Sequence, residues 1–138
     1  MICVIRIRGR VGLDKKIEET LSRLRLRKKY SCIVINPKKE QLGMIYKVKD
    51  FVAFGEISKE VFENLIEKRG QLINKNKKLD VKKIVEEIEK GKKYEELGLK
   101  PFFRLHPPRK GIKSKAHFPK GVLGNNGKEI DKLVKRML

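Results

Sequence analysis

Residues 2–8, Ile2-Cys-Val-Ile-Arg-Ile-Arg8, decide how the first half of this chain reads. Ile2, Val4 and the stems around Ile5 and Ile7 make a strand, with Arg6, Arg8 and Arg10 emerging at its far end. Gly9 and Gly12 punctuate the turn that follows. Asp14 reads as an N-cap, and Leu13, Ile17, Leu21 and Leu24 recur at helical spacing, which predicts a helix near 14–25. Ser31–Ile35 is a short β-branched run and a second strand. Asn36-Pro37 supplies a cap and a proline at the first helical position, opening a helix that carries Leu42, Ile45 and Val48. Phe51–Phe54 is a third strand, closed by Gly55. The order is β-α-β-α-β.

Beyond residue 56, Ser58 caps a helix over 58–69 with Phe62, Leu65 and Ile66 on one face, stopped by Arg69-Gly70. Residues 71–79 read as a loop or short hairpin. Asp80 opens a helix over 80–90 carrying Val81, Ile84, Val85 and Ile88. Phe102–Leu105 has strand character, whereas His106-Pro107-Pro108-Arg109-Lys110-Gly111 cannot be helical. From there to Asn126 only Gly, Pro and Lys recur, so 101–126 reads as an extended arm. Asn126 with Glu129 has capping-box spacing, and Ile130, Leu133, Val134 and Met137 predict a terminal helix over 127–137. The succession is α+β or α/β in class, without internal repeats.

Charge narrows the function. Of 138 residues 36 are Lys or Arg and 17 are Asp or Glu, a formal net charge of +19. Residues 1–55 carry 14 bases and 5 acids, and residues 101–138 carry 10 and 2. Residues 56–100, with 12 and 10, are nearly neutral. The excess sits at the two ends, in acid-free runs from Thr20 to Lys39 and from Pro101 to Lys128. A compact body with this charge repels itself unless a polyanion neutralises it.

Other classes find little support. No stretch approaches ~20 apolar residues, so no membrane span is expected, and the Arg-interrupted N-terminus does not read as a secretory signal. Cys3 and Cys32 sit in apolar strand settings as small buried hydrophobes, and a cytosolic protein is the default. His106 and His117 lack metal-ligand spacing. The carboxylate pairs Glu18-Glu19, Glu86-Glu87 and Glu95-Glu96 lie among lysines on helix surfaces, where i,i+4 ion pairs explain them. Gly9-Arg10-Val11-Gly12 matches the G-x-x-G of KH domains but leaves a strand rather than joining two helices. Phe51 and Phe54 are expected on opposite faces of their strand, which is not the pattern of an RNA-recognition sheet. No catalytic residue, metal, cofactor or small-molecule substrate is expected.

Taken together, the segments resemble the large-ribosomal-subunit protein L-thirty family in its archaeal form. The resemblance runs from the strand at 2–8 through Leu24-Arg-Leu-Arg-Lys28, Ser31–Ile35, Asn36-Pro37 and Gln41-Leu-Gly-Met-Ile-Tyr-Lys-Val48 to Phe51–Phe54. It continues through Leu65-Ile-Glu-Lys-Arg-Gly70, Ile73-Asn-Lys75, Phe103-Arg-Leu-His-Pro-Pro-Arg-Lys-Gly111, Gly124-Asn125-Asn126 and Ile130 to Met137. It implies an α+β core at 1–56 related to the ferredoxin-like fold. That core has a three-stranded sheet of order 3-1-2 with two helices on one face. The extension, 57–138, packs on the same domain. It also implies a structural, non-enzymatic protein of the cytoplasmic ribosome. The partners implied are large-subunit ribosomal RNA, 5S rRNA as a further option, and neighbouring ribosomal proteins.

For RNA binding the sequence offers three clusters. Arg6, Arg8, Arg10 and Lys15 surround the first turn. Arg23, Arg25, Arg27, Lys28 and Lys29 crowd the end of the first helix. Arg104, His106, Arg109, Lys110, Lys113, Lys115 and His117 line the arm, which is expected to be ordered mainly by RNA. An architectural DNA-binding or chromatin protein is the alternative that charge alone allows. Its weakness is that the predicted helices are Lys/Glu amphipaths rather than recognition helices.

Overall fold

Continuous apolar runs make strands that are buried on both faces, and this sheet is built from three of them. The chain gives β1 (Ile2–Arg6), α1 (Lys15–Arg23), β2 (Ser31–Ile35), α2 (Lys39–Lys47) and β3 (Val52–Glu56). α3 (Lys59–Arg69), α4 (Val81–Glu89), β4 (Phe103–Arg104), β5 (Gly124–Asn125) and α5 (Ile130–Met137) follow. The structure is a computed structural model that describes residues 1–9, 12, 14–36, 38–70, 81–91, 94, 99–100, 102–109, 121 and 123–138. The expected loop at 71–79, the Asp80 cap, and Arg10, Lys110, Lys113, Lys115 and His117 lie outside the described residues.

β1 is the central strand, antiparallel to β2 on one side (Val4 opposite Ile33) and to β3 on the other (Val4 opposite Phe54). These three keep the expected order, but the sheet has five strands, β4-β2-β1-β3-β5, rather than three. β4 adds antiparallel to β2, and β5 adds parallel to β3. β4 falls within the expected strand-like run Phe102–Leu105, whereas the two-residue β5 is too short to carry a periodicity and only its pairing reveals it.

Alternation along the strands divides the core in two. Val4, Ile33, Val52 and Phe54 meet Leu21 and Leu24 of the α1 region and Ile45 and Val48 of the α2 region. Cys3, Ile5, Cys32, Val34 and Ala53 face the other way, against α3, α4 and α5. Phe51 precedes β3 and packs against the same cluster as Phe54, correcting the expectation of opposite faces. Tyr94 donates its hydroxyl to the Val34 carbonyl in the second layer.

Several element ends differ from the sequence reading, β1 stopping at Arg6 rather than residue 8 among them. α2 begins at Lys39 with Lys38 at the cap, because Gln41 Oε1 accepts the Lys38 amide (3.1 Å) and replaces Asn36 in that role. β3 runs through Gly55 to Glu56. A Cβ at Gly55 would fall on the Gly127 carbonyl, so the glycine admits the 3₁₀ turn Gly127–Glu129 onto the sheet. Asn126 makes no capping bond from its side chain; that side chain donates to the Gly124 carbonyl (3.1 Å) and its amide to Phe54 (2.7 Å), closing β5.

Candidate nucleic-acid interface

The basic run at 23–29 owes its shape to the end of α1. Leu24 is the C-cap; the Arg25 amide donates to Ser22 O (3.0 Å) and the Leu26 amide to Leu21 O (2.9 Å). That pair of bonds is a Schellman closure, which requires a left-handed residue after the cap. Arg25 fills the place at φ 67° where glycine is usual. Tyr30 is left-handed as well, at φ 66°, with its amide on Arg6 O (2.7 Å) and its carbonyl accepting from Leu105 (3.1 Å). The segment between them is therefore a fixed bend presenting Arg25, Arg27, Lys28 and Lys29, all exposed.

Arg6 corrects the sequence expectation. It does not emerge towards solvent: it is 1% exposed. Its Nη1 donates to Leu26 O and its Nε to Arg8 O, both at 2.9 Å. Burying a guanidinium is tolerable only with such acceptors. Arg6 thus fastens the bend after α1 to the end of β1 and positions the cations that the bend carries.

Pairing of β2 with β4 sets Arg104 opposite Ser31 and brings the second cluster to the first. The result is a concavity of about 220 Å³ lined by Arg25, Arg27, Lys28, Ser31, Phe102 and Arg104. Four cations, a hydroxyl and an aromatic ring share it, and among the described residues no acid does. Cations also lie over half-buried rings here: Arg104 is 5.9 Å from the Phe102 centroid and Lys29 is 5.1 Å from that of Tyr30. Arg8, exposed beyond β1, is 5.9 Å from the centroid of Phe51. The sequence reading missed Phe102, Tyr30 and Phe51, because a single aromatic residue carries no periodicity that sets it beside a cation. The adjacency of Lys29 to Tyr30 and the two-residue step from Phe102 to Arg104 were the available signals.

The remaining candidates are dispersed. Lys15 is exposed in the first turn of α1. Arg23 Nη2 pairs with Glu19 at 2.7 Å on the same helix, an exposed ion pair worth little. His106 is half-buried and its ring is engaged within the protein: Nδ1 meets Pro107 O (2.7 Å) and Nε2 meets Leu138 O. The amides of His106 and Arg109 donate to Met137 and Arg136 (3.2 and 3.0 Å), carbonyls that a helix end leaves without helical partners. Arg136 Nε returns a bond to Arg109 O (3.0 Å), while Arg109 itself is exposed. Protein contacts therefore reach 106–109 and, through β5, 124–126, the two ends of the segment 106–126 expected to be ordered mainly by RNA; residues 110–120 lie outside the described residues.

Cys3 and Cys32 are buried free thiols with sulfurs 3.3 Å apart, and burial pushes the Cys32 thiol up. Among the described residues no group of three His, Cys, Asp or Glu is placed to hold a metal, and no helix is long and apolar enough to cross a membrane. What the surface offers is charge and stacking: forked donors for phosphate and cation-faced rings for bases.

Comparison with known proteins agrees with this chemistry. The model of the family described as ribosomal protein L30p/L7e matches residues 2–52. The large ribosomal subunit protein uL30 of Archaeoglobus fulgidus is 42% identical over 151 aligned positions, which span 99% of each chain. The protein of the same name from Nanoarchaeum equitans is 39% identical, over 100% of this chain and 99% of its own. That of Methanococcus maripaludis is 37% identical, over 98% and 97%.

Proposed function

The chain belongs to the L30p/L7e family of ribosomal proteins, and from that membership we propose that it binds large-subunit ribosomal RNA through the bend after α1 and the β4 edge. Its role is structural: it is a non-catalytic constituent of the large subunit, located with the ribosome in the cytoplasm, and it supports subunit assembly and translation. The observation that carries the RNA reading is the concavity that gathers Arg25, Arg27, Lys28 and Arg104 around Phe102. Phosphates neutralise the four cations and release counterions, and an unpaired base stacks on the ring. Arg8 over Phe51 extends the contact, and Lys15, Arg10, the arm cations Arg109, Lys110, Lys113 and Lys115, and His117 add to it. The α3–α4 layer, with its near-neutral charge, faces solvent or neighbouring ribosomal proteins. Contact with 5S rRNA is a further part of this reading.

Two measurements test it. The native protein should cosediment with large subunits on sucrose gradients and leave them only at high salt. The purified protein should prefer structured rRNA fragments to duplex DNA of equal length at matched salt. Equal affinity for both would favour an architectural DNA-binding protein instead.

A further inference from the structure

We propose that the outer face of α2, centred on Gly43, is a second ribosomal-RNA contact, at which the RNA backbone closes on the helix and a base stacks on Tyr46. This rests on the reading that the chain binds rRNA, and it adds a surface that none of the basic clusters includes.

Gly43 lies in the middle of α2, where glycine is the least favourable residue except proline. Nothing inside the fold requires it. The residue is exposed, its φ is not left-handed, and a Cβ built there would have no neighbour within 4 Å among the described residues. Its absent side chain therefore leaves room outside the protein, as where another backbone approaches closely. Tyr46, one turn on, is 55% exposed and is the one large apolar side chain so exposed among the described residues. Its ring is set edge-on to Phe54, centroids 5.8 Å apart at 85°, so it is held in place rather than swinging freely.

Helical geometry puts Lys39 and Lys47 on the same face as Gly43, at i−4 and i+4, with Glu40 the single acid beside them. Buried Ile45 holds the opposite side of α2 on the sheet. One ring bracketed by lysines suits a phosphate backbone and a stacked base. A protein interface would instead place apolar residues at its centre and deplete the charges.

Gly43→Ala, Gly43→Gln, Tyr46→Ala and Tyr46→Phe, each in the full chain, test this against protein-free large-subunit rRNA. Both Gly43 variants should raise the Tm of the free protein, by about 3 °C. Gly43→Gln and Tyr46→Ala should each lower rRNA affinity about tenfold, with Gly43→Ala intermediate and Tyr46→Phe close to the parent. Gly43 variants that bind rRNA as the parent does would overturn the proposal. So would variants that bind free rRNA normally yet fail to enter subunits, since the face would then meet a protein. If a Gly43 variant loses stability, the Tyr46 pair decides: equal binding by Tyr46→Ala and Tyr46→Phe overturns the proposal. An Arg27→Ala/Arg104→Ala variant run alongside separates the two readings. Its loss of affinity with unchanged Gly43 variants sinks only the α2 contact, whereas no preference of the parent for rRNA over duplex DNA sinks both.

Discussion

The amide of Leu26 donates to the carbonyl of Leu21 at 2.9 Å, and the two side chains are buried in one apolar cluster. That bond fixes the direction in which the chain leaves α1, and it forces the intervening Arg25 into a left-handed conformation. An L-residue there costs roughly 1–2 kcal/mol. The side chain so displayed lines the basic concavity, where a glycine would contribute nothing.

Replacing Arg25 by glycine is therefore expected to stabilise the free protein by about 0.5–1 kcal/mol, after the larger unfolded-state entropy of glycine is deducted. The same change should weaken rRNA binding about fivefold, the loss of one charge-assisted contact. Denaturant titration and equilibrium binding read the two effects separately. Undiminished affinity would remove Arg25 from the interface.

Arg6→Ala should act in the other order. It leaves the Leu26 and Arg8 carbonyls without their charged donor and should cost about 3 kcal/mol of stability. Because Arg6 is buried, the salt dependence of rRNA binding should keep its slope within about half a unit. A slope shallower by a full unit would return Arg6 to the set of phosphate ligands.

Burial raises the pKa of the Cys32 thiol and of the Tyr94 phenol above their ordinary ranges. The folded chain thus retains protons that the unfolded chain releases near pH 8.5 and 10, so stability is fully present below those values and falls above them. Each group contributes a decline of up to about 1.4 kcal/mol per pH unit. Tyr94→Phe should remove the tyrosine share above about pH 10, at a neutral-pH cost of about 1 kcal/mol for the lost bond to Val34 O. Cys32 should resist thiol reagents at pH 8 until the protein unfolds; labelling at the rate of a free thiol would contradict this.

The arm and the α4 layer are expected to differ sharply in their response to neutralisation. Alanine at Arg109, Lys110, Lys113 and Lys115 together should make the log–log salt slope of rRNA binding shallower by about three units. Glutamine at Lys82, Lys83 and Lys90 should leave affinity within about twofold of the parent. A tenfold loss from the second set would mean that this layer touches RNA.

Much of the fold was legible in local patterns. Ile2–Ile5 and Ser31–Ile35 are β-branched runs, and Asp14 and Ser58 cap α1 and α3 as their side chains suggest. Such signals are carried by neighbouring residues and survive without any knowledge of the rest of the chain. Capping was less legible where one residue has competing partners: the Asn126 side chain and amide bond Gly124 O and Phe54 O, the latter some seventy positions away, while its carbonyl alone accepts from the following turn.

Local residue patterns set the β-α-β-α-β order and the concentration of charge at the two ends, and they contain no recognisable catalytic motif. Those follow from composition and from periodicities of two and 3.6 residues. Tertiary structure alone decided that Arg6 is buried, since its acceptors are carbonyls at Arg8 and Leu26 rather than anything in its own strand. It alone decided that Arg104 joins Arg25, Arg27 and Lys28, because the pairing of β2 with β4 spans more than seventy residues of chain. Strand pairing at that separation depends on which backbone edges remain open once the central strands have combined, and no local pattern records it.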